Sequence, residues 1–131
     1  MENLKLGLTG SATMVVGSND TAPRVGSGRI AVLATPVMIN LIEEAALDAC
    51  ERHLADGQQS LGTHLDISHV AATPTGMRVE ARAELTEIDK RKLTFRIRVH
   101  DEVDLIGEGT YTRVVVTAER FQEKVDAKAA Q

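Results

Sequence analysis

An acid, an imidazole and a hydroxyl in this chain are spaced so that they could handle a proton together. The segment Pro36 to Asp56 (PVMINLIEEAALDACERHLAD) has the apolar spacing of one helix. At ~100° per residue, Asn40, Glu44, Asp48, Glu51 and Arg52 share a polar arc. Glu43 falls on the other side, among Ile39, Leu47, Cys50 and Leu54. A carboxylate turned into an apolar layer is costly unless something pairs with it, and chains accept that cost most often where chemistry is done. His69 is the second group. From Leu61 to Ala71 the odd positions Leu61, Leu65, Ile67, His69 and Ala71 share a face, and His64, Asp66 and Ser68 share the other. His69 is therefore expected on the apolar, helix-facing side. A lone histidine there is ordinarily a core side chain bonded to backbone. An acid and an imidazole converging on one layer read as a site. Thr35, at the helix start, adds a hydroxyl, although taken alone it is a plain N-cap. Such a set suits general acid–base or nucleophilic chemistry.

The elements that must hold these groups follow from the change of period along the chain. Ala12 to Val16 is a candidate first strand, and Gly17 to Gly28 (GSNDTAPRVGSG) is a turn-rich loop long enough to bind or cover something. Thr35 and Pro36 suit a helix start and Gly57 its stop. After the helix the period falls to 2. Leu61 to Thr73 forms one strand, Met77 to Thr86 and Leu93 to His100 alternate as half-buried strands, and Leu105 to Thr117 makes a last long one. Asp89-Lys90-Arg91 and Asp101-Glu102-Val103-Asp104 supply the hairpin turns, and the tail from Asp126 is expected to fray. One strand, a long helix and four consecutive strands give an α+β fold. A long central helix is wrapped by a curved antiparallel sheet of about five strands, the hotdog arrangement. Residues 1–131 make a single domain, its core about 9–121 and its tail 122–131. One helix covers such a sheet incompletely, so a homodimer is expected, with room for pairing into tetramers.

Composition narrows the function classes. The 131 residues carry 43% hydrophobic residues but only 2% aromatic ones, with no Trp. Base-stacking recognition of nucleic acid needs aromatic platforms. The net charge of −4 gives no basic footprint for DNA. The single Cys50 allows no internal disulfide and fits a reducing compartment. With no basic-then-apolar start and no apolar run long enough to span a bilayer, a cytoplasmic protein is expected, without membrane partners. Cys50 reads as core, and His53, His64 and Asp66 have no convincing metal-ligand spacing, so no metal is expected. His100 reads as solvent-exposed on the polar face of its strand.

The runs VLATPVMINLIEEAA, SLGTHLDISHVAATPTGM and DLIGEGTYTR resemble the fluoroacetyl-CoA thioesterase-like branch of the hotdog thioesterases, over about Val25 to Phe121. The resemblance implies hydrolysis of a small acyl-CoA by a Thr, Glu and His set, matched here by Thr35, Glu43 and His69. It further implies that the backbone N–H of Gly62 faces the thioester carbonyl and that Arg113 lies near the site. Coenzyme A would enter only as part of the substrate, with no separate cofactor, and the sites would lie at a dimer interface. In the fluoroacetyl-specific enzyme a phenylalanine lid precedes the catalytic Thr. Here Arg29 falls about there and no Phe precedes Phe95, so the acyl group is not fixed by the resemblance. Val32, Leu33, Val37 and Met38 suggest a small aliphatic acyl pocket. Arg113 and Lys90 to Lys92 are candidates for the nucleotide, although Lys90-Arg91-Lys92 reads more simply as a solvated turn. On this reading Glu43 is held ionised by Thr35 and His69. Two other functions fit the same outline: a non-catalytic acyl-CoA-binding module, and a hotdog acyl-CoA hydratase or dehydratase, which would carry a His-Asp pair at a spacing not seen here.

Overall fold

The computed structural model describes residues 3–131. In chain order the elements are β1 (Thr9–Val15), a 3-10 turn (Ser18–Asp20), α1 (Ala22–Val25), α2 (Thr35–Cys50), a second 3-10 turn (Glu51–His53), β2 (Gln58–His69), β3 (Arg78–Asp89), β4 (Lys92–His100), β5 (Leu105–Thr117) and α3 (Ala118–Ala129). The five strands form one antiparallel sheet in the order β1-β3-β4-β5-β2, and α2 packs on its inner face. This is the hotdog arrangement. The region 17–28, expected to be a turn-rich loop, contains the first 3-10 turn and α1. The tail expected to fray continues as α3, whose exposed side chains are mostly charged or small.

The alternation of β3 and β4 is as the sequence dictates. Val79, Ala81, Ala83 and Leu85 face inward against Leu93, Phe95, Ile97 and Val99, and all eight are buried. Helix α2 meets them with Met38, Leu41, Ile42, Ala45, Ala46 and Ala49, a three-and-four spacing that buries a narrow face. Alanines let helix and sheet approach closely. At Gly10 the approach is closest, because a Cβ there would collide with the backbone of Ala45 and Ala49. A side chain at position 10 would force β1 off the helix.

This face corrects the sequence reading of α2. Ile39, Glu43 and Leu47 are half-buried and form a flank between the core face and the exposed one that carries Asn40, Glu44 and Asp48. Glu43 is thus not enclosed in the layer. Its side chain keeps 41% of its accessible surface, because the helix turns its alanine face rather than this flank toward the sheet.

Candidate active site

Two polar clusters lie along the edge formed by α2, β2 and β5. The first is at the start of α2. Thr35 is the first helical residue and Ala34 the N-cap, so the threonine hydroxyl is not consumed in capping. Instead Thr35 Oγ1 lies 2.7 Å from His69 Nδ1, at the end of β2. His69 Nε2 is buried and has no hydrogen-bond partner among the described residues. Burial holds the imidazole below its ordinary range, opposed in part by the backbone of Ala71, so at neutral pH it is uncharged. A cleft of about 300 Å³ opens beside the pair, lined among others by Ala22, Ser27, Val32, Leu33, Val70 and Ala71. Of the four residues suggested for an acyl pocket, Val32 and Leu33 line this cleft and Val37 does not. Met38 is fully buried in the core.

The second cluster surrounds Glu43, two turns further along the helix. Its Oε2 accepts a hydrogen bond from the Tyr111 hydroxyl at 2.8 Å, and Arg113 Nη1 lies 3.8 Å away. Arg113 is only 5% exposed. A buried guanidinium needs partners for its donors. It finds them in the Tyr111 hydroxyl at 2.6 Å, Ser60 Oγ at 2.7 Å and the Ser60 carbonyl at 2.7 Å. Ser60 Oγ in turn donates to Glu51 Oε2 at 2.9 Å, while the Ser60 amide donates to Glu51 Oε1 at 3.3 Å. Burial first, and then the hydrogen bond to Glu43, pushes the Tyr111 phenol up to about 12, against the lowering influence of Arg113. Cys50, fully buried nearby, has its thiol pushed up by burial and is an inert neighbour.

Gly62 belongs to this second cluster. A Cβ at position 62 would collide with the Tyr111 hydroxyl and stand 3.0 Å from Glu43 Oε2. Any side chain there would break the bond between them. Strict alternation would place Gly62 and His69 on opposite faces of β2. The register shifts between Gly62 and His64, so Gly62 pairs with Arg113 while Leu65 pairs with Tyr111 and His69 with Gly107. The extra residue, Thr63, reverses the parity. Gly62 and His69 therefore face the same way, and Leu61, expected with Leu65 and His69, lies on the other face.

The expected set is accordingly divided. Thr35 meets His69, and Glu43 meets Tyr111 and Arg113 beside Gly62, with no hydrogen bond between the two groups. Thr35 and Glu43 are eight residues apart, or ~12 Å along the helix axis. Glu43 is held by Tyr111 and Arg113 rather than by Thr35 and His69. Tyr111, Ser60 and Glu51 were missed from sequence. Tyr111 reads as an ordinary inward strand residue, and Glu51 falls on the polar arc only if the α-helix continues. The helix in fact tightens to 3-10 geometry at Glu51–His53, which turns Glu51 toward Ser60. The larger hollow of about 470 Å³, lined by Arg82, Glu84, Arg96, Arg98 and His100 among others, contains none of these groups.

A helix wrapped by this sheet, with an acid, a Thr–His pair and a close-approach glycine along one open edge, defines a hotdog protein of the thioesterase type. Residues 16–119 match the fluoroacetyl-CoA-specific thioesterase family (FlK), and the chain belongs to that family. Fluoroacetyl-CoA thioesterase of Streptantibioticus cattleyicolor is 43% identical over 97 residues, covering 74% of this chain and 70% of that protein. The solved structure of the fluoroacetyl-CoA thioesterase FlK superposes with a TM-score of 0.89 at 35% identity, over 95% of this chain and 97% of that one. A hot-dog-like protein from Thermanaerovibrio acidaminovorans, 16% identical, shares the fold with a TM-score of 0.88 over 97% of this chain and 94% of that one.

Proposed function

We propose that the protein hydrolyses a small acyl-CoA to the free acid and coenzyme A, in a site completed by a second copy of the chain. Kinship with fluoroacetyl-CoA thioesterase supports the reaction. The observation that carries the site is the oriented carboxylate of Glu43, half-open to solvent beside the Gly62 backbone on edge strand β2. Water adds to the thioester carbonyl as the C–S bond breaks, and the thiolate leaves with the proton. Glu43 either takes the proton from that water or attacks the carbonyl first, expelling the thiolate and forming an anhydride that water then hydrolyses to the free acid. The Gly62 N–H faces the developing oxyanion, where one such donor is worth ~3 kcal/mol in other enzymes. Arg113 supports Glu43, and the Thr35–His69 pair supplies a neutral imidazole able to accept or relay a proton.

Support for a second copy comes from the separation of the two clusters and from β2 itself. This twelve-residue strand lies at the sheet edge with eight of its residues exposed, including Leu65 at 42%. Exposed edges of this length and character invite pairing. Antiparallel pairing of β2 with its own copy about a two-fold axis at Asp66 keeps the faces matched, and the Thr63 bulge then sets position 62 opposite position 69 of the partner. Glu43 and Gly62 of one chain then approach Thr35 and His69 of the other. Short and branched aliphatic acyl groups suit the cleft lined by Ala22, Val32, Leu33, Val70 and Ala71. The protein is accordingly expected in the cytoplasm, needing no cofactor beyond the coenzyme A of its substrate.

Thiol release over a panel of short, branched and aromatic acyl-CoAs, fluoroacetyl-CoA among them, tests the reaction; saturable binding without release would leave a binding module. Mixing tests the shared site. Glu43→Gln and His69→Ala are each expected to be inactive. After subunit exchange the mixture should regain about a quarter of wild-type activity, since half the dimers then hold one intact site of two. No recovery after proven exchange would place the site within one chain.

A further inference from the structure

We infer that Tyr111 is a positioning residue that decides which oxygen of Glu43 reacts, an inference that rests on the thioesterase reading above. The direction of every bond in the cluster is fixed by the donor inventory. Arginine has donors only. At 2.6 Å, Arg113 Nη1 must therefore give its proton to the Tyr111 oxygen. The phenol has one proton, which then goes to Glu43 Oε2 at 2.8 Å. On the other side Arg113 Nε donates to Ser60 Oγ, whose own proton goes to Glu51 Oε2. Both glutamates are thus acceptors in one network centred on a buried cation.

The interposed phenol matters because a direct arginine–carboxylate fork would occupy both oxygens of the acid. Here the guanidinium stays 3.8 Å from Glu43, and Tyr111 engages Oε2 alone. Oε1 has no hydrogen bond among the described residues and is left for water or the thioester carbon. Gly62 protects the arrangement by leaving the Tyr111 hydroxyl room to reach Oε2. The phenol remains protonated across the working pH range, so the donor is not lost by titration.

Tyr111 is the chain's only tyrosine, so fluorotyrosine fed to the expressing cells labels this position alone. Mono-, di- and trifluorotyrosine make the phenol a progressively stronger donor, which draws charge from Oε2 and weakens the carboxylate. We expect kcat to fall stepwise, by about three- to tenfold across the series, with KM within about twofold. Tyr111→Phe should lower kcat by about 10- to 100-fold with KM similarly unmoved, the loss of one hydrogen bond to a charged group. Fluorine NMR gives a readout that needs no turnover: the resonance should move when Glu43→Gln replaces the carboxylate that accepts the Tyr111 proton. A flat kcat series, a Tyr111→Phe enzyme as fast as wild type, or a fluorine signal indifferent to Glu43→Gln would each overturn the inference. Failure of the thioesterase reading looks different. Wild-type protein would release no thiol from any acyl-CoA, removing the role in turnover, while the fluorine signal still moved on Glu43→Gln.

Discussion

The two ends of the β2 edge are built on opposite principles. Around Glu43 every strong donor is used: a guanidinium, a phenol and a serine hydroxyl are locked between two carboxylates. Around His69, among the described residues, there is a single side-chain hydrogen bond, to Thr35, and a buried ring nitrogen without a partner. A charge must be held in both orientation and ionisation, and that takes a network with all members satisfied. A neutral imidazole that relays protons needs the reverse, a nitrogen not committed to a fixed protein partner. The difference implies that stability is concentrated at the Glu43 end, whereas the His69 end serves activity at little structural benefit.

The sharpest way to break this comparison is Glu43→Gln. It keeps the shape and most hydrogen bonds but removes the charge, and thiol release should fall by about 10³-fold or more with the fold intact. Activity near wild type would end the role of Glu43. Next is Arg113→Met, which strips the buried cation from Tyr111, Ser60 and the two acids. Urea unfolding should show a loss of about 3–5 kcal/mol. Under 1 kcal/mol would mean that the network orients without stabilising.

Alkaline pH sharpens the same point through Tyr111. Its folded-state value of about 12 lies above the ordinary phenol value of ~10, so folding favours the protonated form. The stability from this group is complete below pH ~10 and is lost as pH rises toward 12, by up to roughly 3 kcal/mol. Tyr111→Phe should lack that component, visible as a shallower fall of unfolding free energy relative to wild type over this window. At the other end Thr35→Ala should cost under about 1 kcal/mol of stability, as expected for an exposed residue that is not the N-cap, yet cut kcat by about tenfold or more. A stability loss with unchanged kcat would reverse the assignment. The smallest effect comes from His69. Because burial lowers its value in the folded state, the unfolded chain binds the extra proton first as pH falls through ~6.5. Wild type should lose a little stability between about pH 7 and 5, and His69→Gln should not.

Much of this molecule could be read from residue order. The period-2 runs of β3 and β4, the last strand from Leu105 to Thr117 and the long helix are local patterns, and local patterns survive folding. Glu43 and His69 stood out because each is a polar residue on a face whose other members are apolar, whereas Thr35 was marked as a helix-start hydroxyl and by the resemblance. The environment of Glu43 was not legible. The helix's burial face depends on which residues allow close approach, and Gly10 against Ala45 and Ala49 sets that, turning Glu43 to the flank.

Sequence by itself determined the five strands, the long helix, their order and the Thr, Glu and His able to do chemistry, since these follow from side-chain type and spacing along one chain. Tertiary structure alone decided which of those residues meet. A one-residue bulge at Thr63 reverses the parity of β2 and puts Gly62 and His69 on one face, although their numbering assigns them to two. A tightened turn at Glu51 brings a second acid to Ser60. Both depend on contacts between segments far apart in the chain, which no count along the sequence contains.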